Sequence, residues 1–593
     1  MLRRFFYLGS SMSLDFAFPR GRSLRPHPLA IALAASIACV PLRADTVRPN
    51  GGATLTVDNC NDSGPGSLRD AIAAAVSGDT IDFDANLACS TITLTSGAIT
   101  IATGADGLPL TELQIQGPGR NALVIDGNYA DRVIAHEAGS GGTLTISDLA
   151  IHHGFTSGDG GCVLAEGGVN LTNVDLSECS AGFGAVGATA VRGGALAAGD
   201  SASLSSSFVG DSMVNGGSGY AYGAGIFAGR SLLIDRSTVS GNFATSDTGA
   251  TYGGGVSVGR RDVHAQGMLT VTSTNIQNNT AFSHCGYCPV RGGGVFVYGN
   301  TSVGASSISG NTAFSDAHYG VGGGLYFKSG FGGAPVGAAL TYTNLGSNSS
   351  DNDGGAIGAG GDLQIIWGTI SGNSARAGGA IMQLAGTLTL DSSLLTGNIA
   401  QTNGGAIWLF GYGDVTVQNS TISENFAQEN GGAIANSYGS VHLTNATVTG
   451  NSANGLGGGI WFHYPYYTLG IESTIVAGNT VGGSPDDIFA PGGTVQGSHD
   501  LIVVAPGLDI PPDTISDDPL LLPLADNGGV TMTHALAGGS PAIDAGSNPL
   551  GFPFDQRADS VFARVSGAAP DIGAFEVQAS EPADRIFADG FDP

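Results

Sequence analysis

Two short motifs alternate along the middle of the chain, and their spacing constrains the fold more than any other feature. The first is Gly-Gly-small-aliphatic, at residues 193–196, 253–256, 292–295, 322–325, 354–357, 378–381, 404–407, 431–434 and 457–460. The second is aliphatic-x-x-Asn, at 308–311, 345–348, 370–373, 395–398, 422–425, 448–451 and 476–479. From Asn348 onward the asparagines recur every 25 to 28 residues. Self-similarity at such a period marks a stack of repeated units rather than a series of separate globular domains.

A period near 26 residues suits a leucine-rich repeat, a helical solenoid or a coil of β-strands, and local chemistry decides among them. Thr143-Leu144-Thr145-Ile146, Thr387-Leu388-Thr389-Leu390 and Val415-Thr416-Val417 alternate with the period of two that marks a half-buried strand. Helical spacing is absent. Glycine supplies 98 of 593 residues, roughly one in six where about 7% is usual. Paired glycines oppose long helices and admit the positive φ angles of sharp corners. Asparagine suits a repeated turn, since it tolerates left-handed geometry and stacks into a side-chain ladder. These features predict an all-β chain folded as a right-handed parallel β-helix, a solenoid with about 13 coils stacked at about 4.8 Å over residues 141–490.

The flanks read differently. Residues 1–44 form a signal peptide, because Arg20, Arg22 and Arg25 precede the apolar run from Leu29 to Val40 and the small Ala44 closes it. Residues 45–140 then hold an amino-terminal cap and the first coils. Within them the stretch from Gly66 to Ala75 is the best helix in the chain, with Ser67 and Asp70 as a capping-box-like pair, and it is placed to cover the open edge of the first coil. Residues 491–576 are expected to be irregular, and 577–593 to form a tail. No segment after the signal approaches the roughly 18 uninterrupted apolar residues of a transmembrane helix. Six of the seven cysteines follow the signal, an even number that suits disulfides in an oxidising compartment. The pairs nearest in sequence are Cys60 with Cys89, Cys162 with Cys179, and Cys285 with Cys288.

Charge narrows the partners. Against 49 acidic residues the chain has 21 basic ones, for a net charge of −28, and Lys328 is its only lysine. Scattered single arginines cannot neutralise a phosphate backbone, so nucleic acid is excluded as a partner. No Walker loop, HExxH or GxSxG elbow occurs. The spacing of Asp513, Asp517, Asp518, Asp526 and Asp559 matches neither an EF-hand nor an RTX nonapeptide. Neither a metal nor a cofactor is therefore expected.

The alternation of Gly-Gly-Ala-Ile with aliphatic-x-x-Asn resembles the repeats of polymorphic outer membrane proteins, with Ile, Leu or Val where those usually have Phe. The stretch from Gly66 to Ala71 is similar to the opening motif of CSLREA-type exported proteins, with glycine replacing cysteine and aspartate replacing glutamate. Residues 518–576 look like a choice-of-anchor Q domain, through Asp518-Pro519-Leu520, Asp526-Asn527-Gly528-Gly529, Gly539-Ser540-Pro541-Ala542-Ile543-Asp544, Asp555-Gln556-Arg557 and Asp571-Ile572-Gly573-Ala574-Phe575-Glu576. Together these resemblances imply an exported β-helix, secreted or held at the outer membrane surface of a Gram-negative bacterium. Such a protein is expected to act as a monomer on a glycan or a host or cell-surface protein.

Parallel β-helices also host polysaccharide lyases and hydrolases, which need carboxylates at a set separation or an acidic site beside a basic residue. The candidates here are Asp351 and Asp353, before a glycine corner, with Arg376 one coil further on. His152-His153-Gly154 lacks a following Arg-x-Lys and reads as a turn at a repeat boundary. A surface ion pair is the simpler role for the acids, so the leading expectation is a non-catalytic adhesin or envelope-associated structural protein. A polysaccharide-degrading lyase or hydrolase is the alternative. In each glycine corner the aliphatic residue points into the core, and its successor points outward. Phe227, Phe296, Tyr326, Met382, Trp408 and Trp461 thus form an expected exposed stripe, in which Tyr326, Trp408 and Trp461 are the ligand-binding candidates. The competing expectation is that segment 500–576 folds back over the stripe.

Overall fold

The computed structural model describes residues 52–184, 187, 189–328, 337–464, 466–491, 494–558 and 561–578. The signal segment 1–44 and the tail from residue 579 onward lie outside them. Each coil runs through the same succession of short strands. In one coil Ile407–Leu409 follows a glycine pair, Val415–Gln418 continues the wall, Thr421–Ser423 turns onto a second face and Phe426–Ala427 onto a third. Every segment pairs in parallel with its counterpart one coil away, as Ile407 does with Ile434 and Val415 with Val441. The product is a parallel β-helix walled by sheets of 29, 15 and 13 strands. The inward residues, Ile381, Ile407, Ile434 and Ile460 among them, belong to one continuous buried core. Between residues 141 and 490 the wall strand recurs twelve times. That is one coil fewer than expected, because the early coils are longer. Val256 pairs with Val295, 39 residues on.

The longer coils carry one more segment. Ala190–Arg192, Tyr220–Tyr222, Thr251–Tyr252, Val290–Arg291 and Gly320–Val321 form a 5-stranded side sheet, each strand lying just before a corner glycine. The first glycine of each pair makes the corner. Gly193, for example, has φ 62°, and a Cβ there would collide with the Leu196 carbonyl.

The asparagines do not occupy the left-handed turn expected of them. The residue before each takes that conformation, namely Gly241, Gly310, Gly372, Gly397, Gly450 and Gly478, with Asn278, Ser347 and Glu424 at the remaining corners. The asparagine side chain is thereby turned into the coil, where it is buried. From Asn242 through Asn279, Asn311, Asn348, Asn373, Asn398, Asn425, Asn451 and Asn479, each Nδ2 donates to the Oδ1 of the next at 2.9–3.1 Å. The ladder ends at Asp487. Its Oδ1 accepts from both the backbone N and the Nδ2 of Asn479, at 2.9 and 2.8 Å, and its Oδ2 accepts from Val504 N at 2.9 Å. A carboxylate suits that place because it accepts on both oxygens and has nothing to donate onward. A second corner carries hydroxyls, with Ser207, Ser237, Thr274 and Ser306 each accepting a backbone N–H from the preceding coil. It too finishes on an aspartate, Asp500, which accepts from Thr474 N.

Both ends of the described solenoid are covered. Helix α1, Leu68–Ala74, is capped by Ser67, whose Oγ accepts from Asp70 N at 3.2 Å. Asp70 reaches back to Gly66 N, one residue earlier than in a standard capping box. Its buried Leu68, Ala71 and Ile72 join the main core, so the helix closes the first coil. At the other end the chain returns along the 15-stranded face. Gln556 meets Thr421 Oγ1 and Ser393 O, and Ala574 N donates to Thr447 Oγ1. Ile572, Phe575, Ala535 and Leu536 form an apolar cluster against Ile475. The segment is tied internally by charge: Arg557, 1% exposed, pairs with Asp555 at 2.7 Å between the rings of Phe562 and Phe575. Glu576 accepts from Ser566 N and Asp571 N.

Three disulfides join Cys60 to Cys89, Cys162 to Cys179 and Cys285 to Cys288. No helix among the described residues is long and apolar enough to cross a membrane.

Candidate functional site

The residues after each glycine-corner aliphatic do point out of the main core, as strand alternation requires, yet in the early coils they do not reach solvent. Phe296 is 1% exposed, Tyr326 6% and Trp408 9%. The side sheet stands against them across the glycine corner, and its Tyr222, Tyr252 and Val321 pack on Phe227, Phe296 and Tyr326 as a second apolar core outside the coil. The rings run along the solenoid, with Tyr222 and Tyr252 at 5.0 Å, Tyr252 and Phe296 at 4.7 Å, and Phe296 and Tyr326 at 6.0 Å. Gly358 interrupts the row because a Cβ there would lie 2.6 Å from Val321. The expectation of an open stripe is corrected at Tyr326, which the side sheet covers, and at Trp408, which is buried within the same apolar cluster. Alternation sets which way a side chain points and leaves open what stands opposite it. The cover also differs from the one anticipated, since segment 500–576 packs on the 15-stranded face instead.

The side sheet stops at Val321, continued only by single bridges through Asp353 and Ala377. Beyond it the corner opens. Trp461 is half-buried, and behind the corner strand stands an aromatic ladder, Tyr412, Tyr438 and Tyr464, with centroids 5.3 and 5.1 Å apart. Tyr412 is 83% exposed. Trp408 meets Phe410 at 4.8 Å, Trp461 meets His463 at 4.9 Å, and His463 meets Tyr464 at 4.3 Å. The Tyr464 hydroxyl raises the Tyr438 phenol above its usual range. Glycines set this stack, because a Cβ at Gly413 would meet the Gly386 carbonyl and one at Gly439 the Gly413 carbonyl. Sequence reasoning missed the ladder by following the glycine pairs. The signal was present as Tyr-Gly at 412–413 and again at 438–439, one coil apart.

The acidic candidates are brought together and are largely occupied. Asp353 pairs with Arg376 Nη2 at 3.0 Å, and Arg376 Nε donates to Asn352 Oδ1 at 2.6 Å. Burial pushes the Asp353 carboxyl up to about 6, against the pull of Arg376 and Arg291. Asp351 accepts from Ser315 N and Gly320 N, each at 2.7 Å, one on each oxygen. It therefore fastens the loop of the preceding coil, and both of its oxygens are engaged in doing so.

Earlier coils hold a histidine cluster of a different kind. His153 lies between Asp126, at 3.1 Å from Nδ1, and Glu178, at 3.4 Å from Nε2. Its two nitrogens face opposite ways, so the three side chains brace successive coils and do not converge on one point. No group of three or more His, Cys, Asp or Glu side chains among the described residues is arranged to hold a metal ion.

No protein-family model matches the chain, and no curated protein is similar to it. Among solved structures it is similar to a crystal structure of pectate lyase Pel9A, at 12% sequence identity and a TM-score of 0.30, over 88% of this chain and 97% of that one.

Proposed function

We propose that this protein is an exported, non-catalytic β-helix that works by presenting its side surface, as an adhesin or envelope-associated protein that binds glycan. The observation that carries this reading is the open ladder of Tyr412, Tyr438 and Tyr464 beside Trp461 and His463, five rings on the last coils. Aromatic rings with polar tips are favoured binding surface, and a contiguous exposed patch marks an interaction site. Export to the surface of a Gram-negative cell is supported by the basic and apolar residues of segment 1–44 and by three disulfides, which persist in oxidising compartments. The motif resemblances to polymorphic outer membrane, CSLREA-type and choice-of-anchor Q proteins point the same way. The engaged oxygens of Asp351 and the ion pair of Asp353 speak for a structural role of that cluster.

A glycan array run beside a reducing-sugar release assay, with fractionation of the producing cells, tests the reading. The expected result is retention of a defined glycan class by surface-localised protein, weakened about tenfold or more by Tyr412→Ala with Tyr438→Ala, and no sugar released. Sugar release lost with Asp353→Asn would replace this reading with the hydrolytic one.

A further inference from the structure

We propose that the guanidinium groups of Arg261 and Arg291, held over tyrosine rings beside the side sheet, form a binding site for a carboxylate-bearing saccharide. This site is separate from the tyrosine ladder and does not depend on it. Arg291 lies over Tyr326, 5.2 Å from the ring centroid, and its Nη1 donates to the carbonyls of Val290 and Tyr319. Its Nε and Nη2 have no hydrogen-bond partner among the described residues. Arg261 lies over Tyr252 at 5.4 Å and donates from Nη1 to the Tyr252 hydroxyl at 2.6 Å, with its other nitrogens likewise without a hydrogen-bond partner. Tyr252 is the direct strand partner of Arg291 and lies under Arg261, which places both cations on one patch.

The local charge is unusual for this chain. Asp353, which follows Val321 and Arg291 along the side sheet, is already engaged by Arg376 at 3.0 Å. Asp351 is engaged by backbone amides. Neither Arg261 nor Arg291 forms an ion pair among the described residues, on a molecule of net charge −28. A guanidinium fixed on a ring offers two parallel N–H donors, the pattern that a planar carboxylate accepts in a bidentate pair. Tyr319 and Tyr220, 38% and 40% exposed, supply apolar ring surface at the rim for the body of a sugar.

Calorimetric titration of the full chain with glucuronic acid, with glucose as the uncharged control and inorganic phosphate as the bare anion, tests the assignment. Glucuronate is expected to bind at least about tenfold more tightly than either control, and to weaken as salt rises. Arg291→Gln and Arg261→Gln are each expected to lose about tenfold in glucuronate affinity, while Tyr438→Ala leaves it unchanged. Arg261→Gln removes contacts to Tyr252 alone, so it carries the test if Arg291→Gln fails to fold. Equal binding of glucuronate and glucose, phosphate binding as tight as glucuronate, absence of glucuronate binding, or full affinity in both arginine variants would each overturn the proposal. Loss through Tyr438→Ala would overturn the separateness of the two sites.

Discussion

Asn398 shows how much one buried side chain can hold. Its Oδ1 accepts the backbone N and the Nδ2 of Asn373, and its own Nδ2 donates to Asn425 and to the Ile370 and Thr396 carbonyls. Asn398→Ala strands donors on one coil and acceptors on the next, and is expected to cost about 2–4 kcal/mol, since buried unmet partners carry the full desolvation penalty. Asn398→Asp is expected to do no better, because it keeps the acceptor and brings a second oxygen against Asn425 Oδ1. Denaturant titration reads both, and an aspartate variant as stable as wild type would refute the directional ladder. The polarity reverses at the terminus. There Asp487→Asn presents an amide to the Val504 N–H.

The side sheet accounts for most of the difference between expectation and structure at the level of elements. Phe296 is 1% exposed, wedged between Tyr252 and Tyr326. Phe296→Ala is expected to cost about 3–5 kcal/mol, whereas Tyr412→Ala, at an 83% exposed position, is expected to change stability by less than about 0.5 kcal/mol. Thermal unfolding of the two variants distinguishes a core row from a surface row, and equal losses would contradict the assignment. Much of the solenoid was legible because its signals are local: the alternation in Thr387-Leu388-Thr389-Leu390, the corner glycines, and Ser67 capping α1. The cysteine pairs were legible from nearness alone. What could not be read was contact between segments far apart in sequence. Tyr252 sits a whole coil before Phe296, so nothing in their spacing announces that one roofs the other. Arg557 and Glu576 look like surface charges until the return of the chain across Thr421 and Thr447 buries them. At the candidate site, counting from the glycine pairs brings Asp353 and Arg376 together, while the amides that engage Asp351, of Ser315 and Gly320, flank a loop with no repeat signature.

The molecule as a whole combines strong net acidity with carboxyls held out of water. Burial pushes Asp487 up to about 6, Glu576 up to about 7 and Asp500, with Glu472 and Asp513 nearby, up to about 9. Each of these groups binds its proton more tightly in the folded state than in the unfolded one. Folding stability therefore falls as pH rises from near 4 through these values, and repulsion at a net charge of −28 acts in the same direction. The melting temperature is expected to be several degrees higher near pH 5 than near pH 8, on the order of 1 °C per kcal/mol for a chain of this length. Asp500→Asn should narrow that gap, and a melting temperature that rises toward pH 8 would contradict the account. The asparagine ladder has a further consequence for how such a molecule acquires its size. Every rung between Asn242 and Asn479 presents an acceptor to the coil before and a donor to the coil after, and Asp487 alone ends the series. A coil inserted between two rungs meets complementary groups above and below, and a coil removed leaves none unmet. Reach is thus quantised in steps of one coil, about 4.8 Å, and the gene can lengthen or shorten the rod without redesigning either end.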